Sequence, residues 1–235
     1  MNLVLIFPED LVSPQVARLG GRRLAHVRAV HRAHMGDELA VGLLGGRMGR
    51  GRVLRLDDEA LELALELEQE PPPKLPLNLV IAAPRPKVLN RVVAAAASLG
   101  VARIVLLNAW KVEKAYWASP RMRLENLREQ LLLGLEQAKD TVLPELRLAR
   151  LFRPFVEDEL PDLVGGGTGL MAHPGSGEAA PMPLVTPVTL AIGPEGGWIE
   201  AEVQSLLKAG LKPLDLGPRI LRTETALATL VGKLF

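Results

Sequence analysis

The sequence predicts an α/β protein in two parts: a small, mostly antiparallel β-barrel over residues 1–70 and a parallel α/β domain over 77–235, with a linker at 71–76. Three observations carry that expectation. In "LELALELE" (61–68), Leu61, Leu63, Leu65 and Leu67 alternate with Glu62, Ala64, Glu66 and Glu68, a period of two that gives a strand one buried and one wet face. "EPPPKLP" (70–76) holds four prolines in seven residues and favours a stiff, extended join. Beyond it, apolar runs alternate with long helical stretches, the rhythm of a parallel sheet covered by helices.

Taken in order, strands are predicted at 2–7, 38–43, 52–56 and 61–68, with one short helix within 14–30. After the linker, 77–82 is a strand, 86–99 a helix ended by Gly100, and 102–107 a strand. A long helix follows at 121–139, a strand at 145–149, and a polar-acidic helix near 154–163. Strands at 169–172 and 188–192, a helix at 200–209, a strand at 212–216 and a final helix from Thr223 complete the chain. "GGGTG" (165–169) precedes a strand and reads as a loop.

With 48% hydrophobic and only 3% aromatic residues, the core must be built from Leu, Val and Ala. There is no cysteine, which excludes disulfides, thiolate chemistry and zinc sites of the Cys type, and points to the cytoplasm. The opening "MNLVLIFPED" reaches Pro8 without a basic lead-in, so it reads as a first strand, with no secretory signal and no membrane span. A net charge of +1 hides an uneven distribution: Arg18, Arg22, Arg23, Arg28, Arg32, Arg47, Arg50, Arg52 and Arg55, with His26, His31 and His34, face only Asp37 and Glu38 across 18–55. Arginine forks suit phosphates and stack on bases, which favours RNA; a solvated surface explains the same run.

Ligands of parallel α/β sheets bind outside the carboxyl ends of strands. Three such turns stand out, "MAHPGSG" (171–177), "GPEGGW" (193–198) and "LGPRILRTETA" (216–226), in which Gly and Pro let backbone amides approach a flat ligand while the turn keeps its shape. Together they outline one pocket. A nucleotide phosphate is one occupant such amides attract. The phosphate loop G-x-x-x-x-G-K-[ST] is absent, however, and no G-x-G-x-x-G follows the first strand. A cationic ligand with an adenine head, met by Glu195 and Glu224, is an equal alternative.

"IGPEGGW" followed by "LGPRILRTETA" closely resembles the signature of bacterial small-subunit ribosomal RNA uridine N3-methyltransferases, in the knotted SPOUT class of S-adenosylmethionine-dependent enzymes. The likeness of layout covers nearly the whole chain, since that family joins a PUA-like β-barrel to a methyltransferase domain with a trefoil knot. The resemblance implies that Gly193, Pro194, Glu195, Gly196 and Gly197 form one cofactor loop, that Leu216, Gly217, Arg219, Ile220, Leu221, Arg222, Thr225 and Ala226 form the knotted loop around the cofactor, and that His173 closes the preceding strand end. "HVRAVHRAHMGDELAV" (26–41) resembles the family's N-terminal pattern at His26, Arg32, Gly36 and Asp37, and implies RNA docking by this domain, with Arg22, Arg23 and Arg28 beside them. A turn explains Gly36 and Asp37 equally, and packing explains His26.

The chain departs from the family where "AAAASLG" replaces a Gln-Lys pair and an acid, where Ala109, Trp110 and Lys111 replace Ser-Glu-Arg, and where Asp140 stands for Arg. These are expected substrate-side positions, so the RNA target is less fixed than the cofactor. The implied reaction is methylation of uridine N3 in 16S ribosomal RNA, free or within the small subunit. Its catalytic candidates are Arg222, which stabilises the uracil oxygens, and Glu195 or Glu224, which takes the proton. For Glu224 a place at a helix N-terminus is the competing explanation. A homodimer is implied, for which the leucines of 124–135 and the helix at 226–235 are available unless they pack within the chain. No metal is required. Methylation of another RNA position, or a non-catalytic role in RNA binding or ribosome assembly, are the rival readings.

Overall fold

The computed structural model describes residues 2–176, 184 and 186–235. The chain divides into two units, Met1–Pro73 with Leu132–Leu143, and Lys74–Leu131 with Pro144–Phe235.

The first unit contains β1 (Val4–Ile6), β2 (Leu11–Ser13), β3 (Val16–Leu19), α1 (Gly21–His26), β4 (Glu38–Leu43), β5 (Met48–Leu56) and β6 (Leu61–Gln69). They form one six-stranded sheet in the order β1-β4-β5-β6-β3-β2. Leu61, Leu63 and Leu65 point into its core with Ile6, Leu19, Val41 and Val53, as the alternation of "LELALELE" requires. The short helix expected within 14–30 is α1; strand β3 before it was not expected, and forms because Ala17 and Leu19 alternate with exposed Arg18 and complete the core beside β6. The pairing is antiparallel except between β1 and β4, where Val4 lies opposite Val41 in parallel, which the long connection through β2, β3 and α1 permits. After α1 the helix widens into π-type turns over Val27–His31 and stops at Arg32, whose φ of 50° is left-handed.

The second unit contains β7 (Leu75–Ala82), α2 (Pro86–Ser98), β8 (Val101–Leu107), α3 (Lys114–Trp117), the start of α4 (Leu124–Ala138), β9 (Glu145–Ala149), α5 (Phe152–Pro154), α6 (Leu160–Val164), β10 (Thr168–Ala172), β11 (Val188–Ile192), α7 (Glu200–Lys208), β12 (Leu211–Leu214) and α8 (Thr223–Leu234). Turns of π type over Phe155–Glu159 connect α5 to α6. Six strands pair in the order β12-β10-β11-β7-β8-β9, every neighbour parallel. All five residues of β11 are buried, so both faces of the sheet centre are covered. Helix α2 opens on Pro86, whose fixed φ suits the first turn, and buries Leu89, Val92, Val93, Ala96 and Ala97; Gly100 at φ 76° ends it. The helix expected from 121 begins at Leu124, after a 3-10 turn over Pro120–Met122, and the short α3 has no counterpart in the sequence reading.

The division also departs from a single boundary at 71–76. Leu75 and Pro76 already belong to β7, and residues 132–143 pack with the first unit although the sequence assigns them to the domain 77–235. There, Leu132 and Leu135 join Leu3 and Leu5 in one cluster, and the Glu136 carbonyl accepts the N–H groups of Asn2 and Leu3 at 3.0 Å.

Candidate active site

Because every pair in the second sheet is parallel, the ends of β10, β11 and β12 open on one edge, and the turns that follow them meet there. They enclose a cavity of about 810 Å³, within the range of small-molecule sites. Its wall includes His173 after β10, Gly193 to Trp198 after β11, Ile220 to Arg222 before α8, and Val88 and Arg91 of α2.

The Gly193–Gly197 turn is held at both sides. The Gly197 N–H donates to the Pro194 carbonyl at 2.8 Å, and Gly197 itself lies at φ 70°, a conformation that costs little only for glycine. A Cβ on Gly193 would stand 3.1 Å from Cε2 of Trp198, so the indole lies directly against the glycine. Trp198 is 6% exposed and its Nε1 is buried without a hydrogen-bond partner among the described residues. Lys111 donates from Nζ to the Gly196 carbonyl at 2.6 Å, and its Cδ occupies the space a Cβ on Gly196 would need. Asp215 ties two loops together: its carboxylate accepts the Gly217 N–H and the Gly175 N–H, each at 2.9 Å.

The charged groups are arranged asymmetrically. Glu195 accepts the backbone N–H of Arg85 at 3.1 Å and lies 3.8 Å from its guanidinium. Glu224, in the first turn of α8, bonds Arg91 at 3.2 Å. Its place therefore has the structural explanation expected of an acid at a helix N-terminus. Arg222 precedes that helix, is exposed, and makes no ion pair among the described residues, so the salt bridge to Glu195 or Glu224 that would have explained it structurally is not formed.

The cavity wall thus brings together His173, Gly193, Pro194, Glu195, Gly196, Gly197, Ile220, Leu221, Arg222, Glu224 and Ala226. Leu216, Gly217, Arg219 and Thr225 belong to the same loop and helix but do not reach the wall. Gly177, the end of the first expected turn, lies outside the described residues. Sequence reasoning missed Arg85, Val88, Arg91 and Asp215, and placed Trp198 in the pocket turn without giving it a role. Arg85 follows the carboxyl end of β7, where the same rule of strand ends would have found it; an acid before a glycine turn was the signal for Asp215. Val88 and Arg91 carried no local signal.

Residues 70–234 match the RNA methyltransferase domain family. The ribosomal RNA small subunit methyltransferase E of Treponema pallidum is 31% identical, over 96% of this chain and 87% of that protein. The chain belongs to the ribosomal RNA small subunit methyltransferase E family. The Synechocystis member is 26% identical over 95% of this chain and 73% of its own length. The fold likeness extends to the Neisseria gonorrhoeae member, solved bound to S-adenosyl methionine, with a TM-score of 0.80 at 21% identity over 99% of this chain and 95% of that one.

Within this methyltransferase, the arginines of the first unit are largely engaged. Arg22 forks onto Glu136 at 2.8 and 3.0 Å, a carboxylate that is 2% exposed. Arg23 pairs with Asp10, donates to the Leu5 carbonyl, and lies 4.2 Å over the Phe7 ring. Arg28 pairs with Asp58, Arg47 with Glu70, Arg50 with Glu38 and Arg55 with Asp57. Arg32 and Arg52 make no ion pair among the described residues. The solvated-surface explanation therefore accounts for much of the arginine run. His26 has a buried Nε2 with no partner among the described residues and stands edge-on to His31, 5.4 Å between centroids; burial lowers its pKa from 6.5 most, with the N-terminal charge and then His31 adding to the shift. Asp140, expected at a substrate-side position, is 3% exposed and accepts the Val142 N–H at 2.9 Å, so it is buried in the first unit rather than set on an open face.

Proposed function

We propose that the protein methylates N3 of a uridine in 16S ribosomal RNA, with S-adenosylmethionine as the methyl donor. The observation that carries the reading is the glycine-walled cavity at the carboxyl edge of the parallel sheet, with Arg222 on its rim, exposed and without an ion pair among the described residues. The wall fits that donor. Gly193, Gly196 and Gly197 leave main-chain groups bare, Val88, Ile192, Leu221 and Ala226 offer apolar faces to an adenine, and the Trp198 Nε1 is a donor without an acceptor among the described residues. When bound, S-adenosylmethionine supplies an electrophilic methyl group.

The protein's own residues must then make N3 a nucleophile. N3 carries a proton at neutral pH, so negative charge develops on the uracil oxygens as that proton leaves. Arg222 stabilises this charge, since among the described residues Glu195 and Glu224 pair with Arg85 and Arg91 and no carboxylate pairs with its guanidinium. Glu195 accepts the proton; Glu224 is engaged by Arg91 and by the α8 N-terminus. N3 lies on the pairing edge, so the uridine must be unpaired to enter. Arg32, exposed and without an ion pair among the described residues, holds phosphate on the first unit, with Arg28 beside it once it leaves Asp58.

The likeness to the family supports a PUA-like closure of the first sheet, a trefoil knot at 216–226, and a homodimer. Leu127, Leu131, Leu132, Leu135, Leu227, Leu230 and Leu234 are buried within the single chain, which leaves Leu124, 59% exposed, and Ile220, 87% exposed, as apolar groups for a second copy. No helix among the described residues is long and apolar enough to cross a membrane, and a cytoplasmic location follows from the substrate. The test is nucleoside mass spectrometry on small subunits carrying unmethylated 16S RNA after incubation with enzyme and donor. N3-methyluridine is expected; no methyl incorporation, or methylation of another atom, would overturn the assignment.

A further inference from the structure

The turn that follows β8 carries Trp110, and the fold presents this residue in an unusual way. Trp110 is 79% exposed and makes no hydrogen bond through its indole and no ring contact among the described residues. Isolated exposed apolar side chains are common on protein surfaces. Here, however, the backbone beneath the ring is fixed at three points. The Val112 N–H closes the turn on the Ala109 carbonyl at 3.0 Å. The Trp110 N–H donates to Glu202 Oε1 at 2.7 Å, a carboxylate 5% exposed whose other oxygen accepts the Ile199 N–H at 3.1 Å. The next residue, Lys111, reaches the Gly196 carbonyl, so Trp110 stands one residue from a side chain that braces the cavity wall.

The turns after the two strands that flank β8 carry cations, of which Arg85 lies 3.8 Å from Glu195. Arg85 follows β7, Arg121 donates to the Pro86 carbonyl at 2.9 Å, and Arg150 follows β9 with its guanidinium 5.4 Å over the Trp117 ring. Of the acids at this edge, Glu113 accepts the Tyr116 hydroxyl at 3.0 Å and Glu195 accepts the Arg85 N–H. A bare indole on a rigid turn among cations has the chemistry of a single-stranded nucleic-acid site, where bases stack on aromatic rings and phosphates meet the charges. Rigidity matters because few side-chain rotors remain to be ordered on binding.

We propose that Trp110 stacks against an unpaired base of the substrate RNA next to the uridine being methylated, and so acts as a specificity-determining residue of this chain. The inference rests on the function proposed above, and the test separates the two. Affinity and steady-state kinetics are measured for wild type, Trp110→Ala and Trp110→Phe with small subunits carrying unmethylated 16S RNA. One lost base stack predicts that Trp110→Ala weakens RNA affinity and raises KM about 5- to 150-fold. Turnover and S-adenosylmethionine affinity are expected to stay within about twofold, with Trp110→Phe recovering most of the loss. Unchanged RNA affinity in Trp110→Ala, or an equal loss of donor affinity showing that the ring only supports the turn, would overturn the inference. Absence of methylation by the wild type would instead sink the functional reading, while the affinity comparison still decides the role of Trp110.

Discussion

Arg222 and His26 show how differently two residues of one sequence motif map behave once placed. Arg222 lies at the start of α8 on the cavity rim with no carboxylate partner among the described residues. Its replacement by Ala is expected to lower kcat about 100-fold, the usual scale for one charge-stabilising donor, while donor affinity measured by calorimetry changes less than about threefold. Equal loss of both would mean that Arg222 shapes the cavity instead. His26 titrates in the opposite sense to a paired histidine. Its folded pKa lies below 6.5, chiefly because burial disfavours the charged ring. Above 6.5 both folded and unfolded chains hold it neutral. As pH falls through 6.5 the unfolded chain takes the proton first, so stability is lost toward acid. The urea midpoint should therefore fall more between pH 7.5 and 5.5 for the wild type than for His26→Gln; parallel curves would exclude the effect.

At the scale of elements, close approach of backbones decides what substitutions survive. A Cβ on Gly49 in β5 would lie 1.9 Å from the Glu66 carbonyl oxygen in β6, so the two strands would have to part. Gly49→Ala should cost about 3 kcal/mol in urea unfolding, whereas at Gly46 a Cβ meets only the Leu43 side chain, at 3.3 Å, and the cost should be about 0.5 kcal/mol or less. The same scale shows where sequence patterning works. β6 and β11 were legible because alternation and an apolar run record which faces are buried. β3 was missed because four residues, Val16–Leu19, carry too little periodicity, and their strand state is set by pairing with β6. The glycine turns of the cavity were legible as turns. Arg91 and Val88 were not, because a helix contributes them to the wall only after α2 has docked.

For the whole molecule, the consequence of note is that residues 132–143, distant in sequence, pack with residues 1–73. Expressed alone, residues 1–73 would leave Leu3 and Leu5 without Leu132 and Leu135, and Arg22 without Glu136. We expect that fragment to give a collapsed, poorly dispersed amide NMR spectrum; a native-like spectrum would show that the added segment is dispensable.

By itself the sequence determined the α/β class, the change of rhythm after residue 70, the strand ends that line the cavity and, through two glycine-containing segments, the family. Those features are written in local periodicity and turn chemistry, which survive without knowledge of distant neighbours. Only the tertiary structure decided that Glu195 meets Arg85, that Glu224 meets Arg91 so that neither acid pairs with Arg222, that Arg22 closes on a buried Glu136, and that Trp110 faces outward from a fixed turn. Each of these depends on which groups far apart in the chain come within hydrogen-bonding reach, and single-sequence patterning carries no record of such distances.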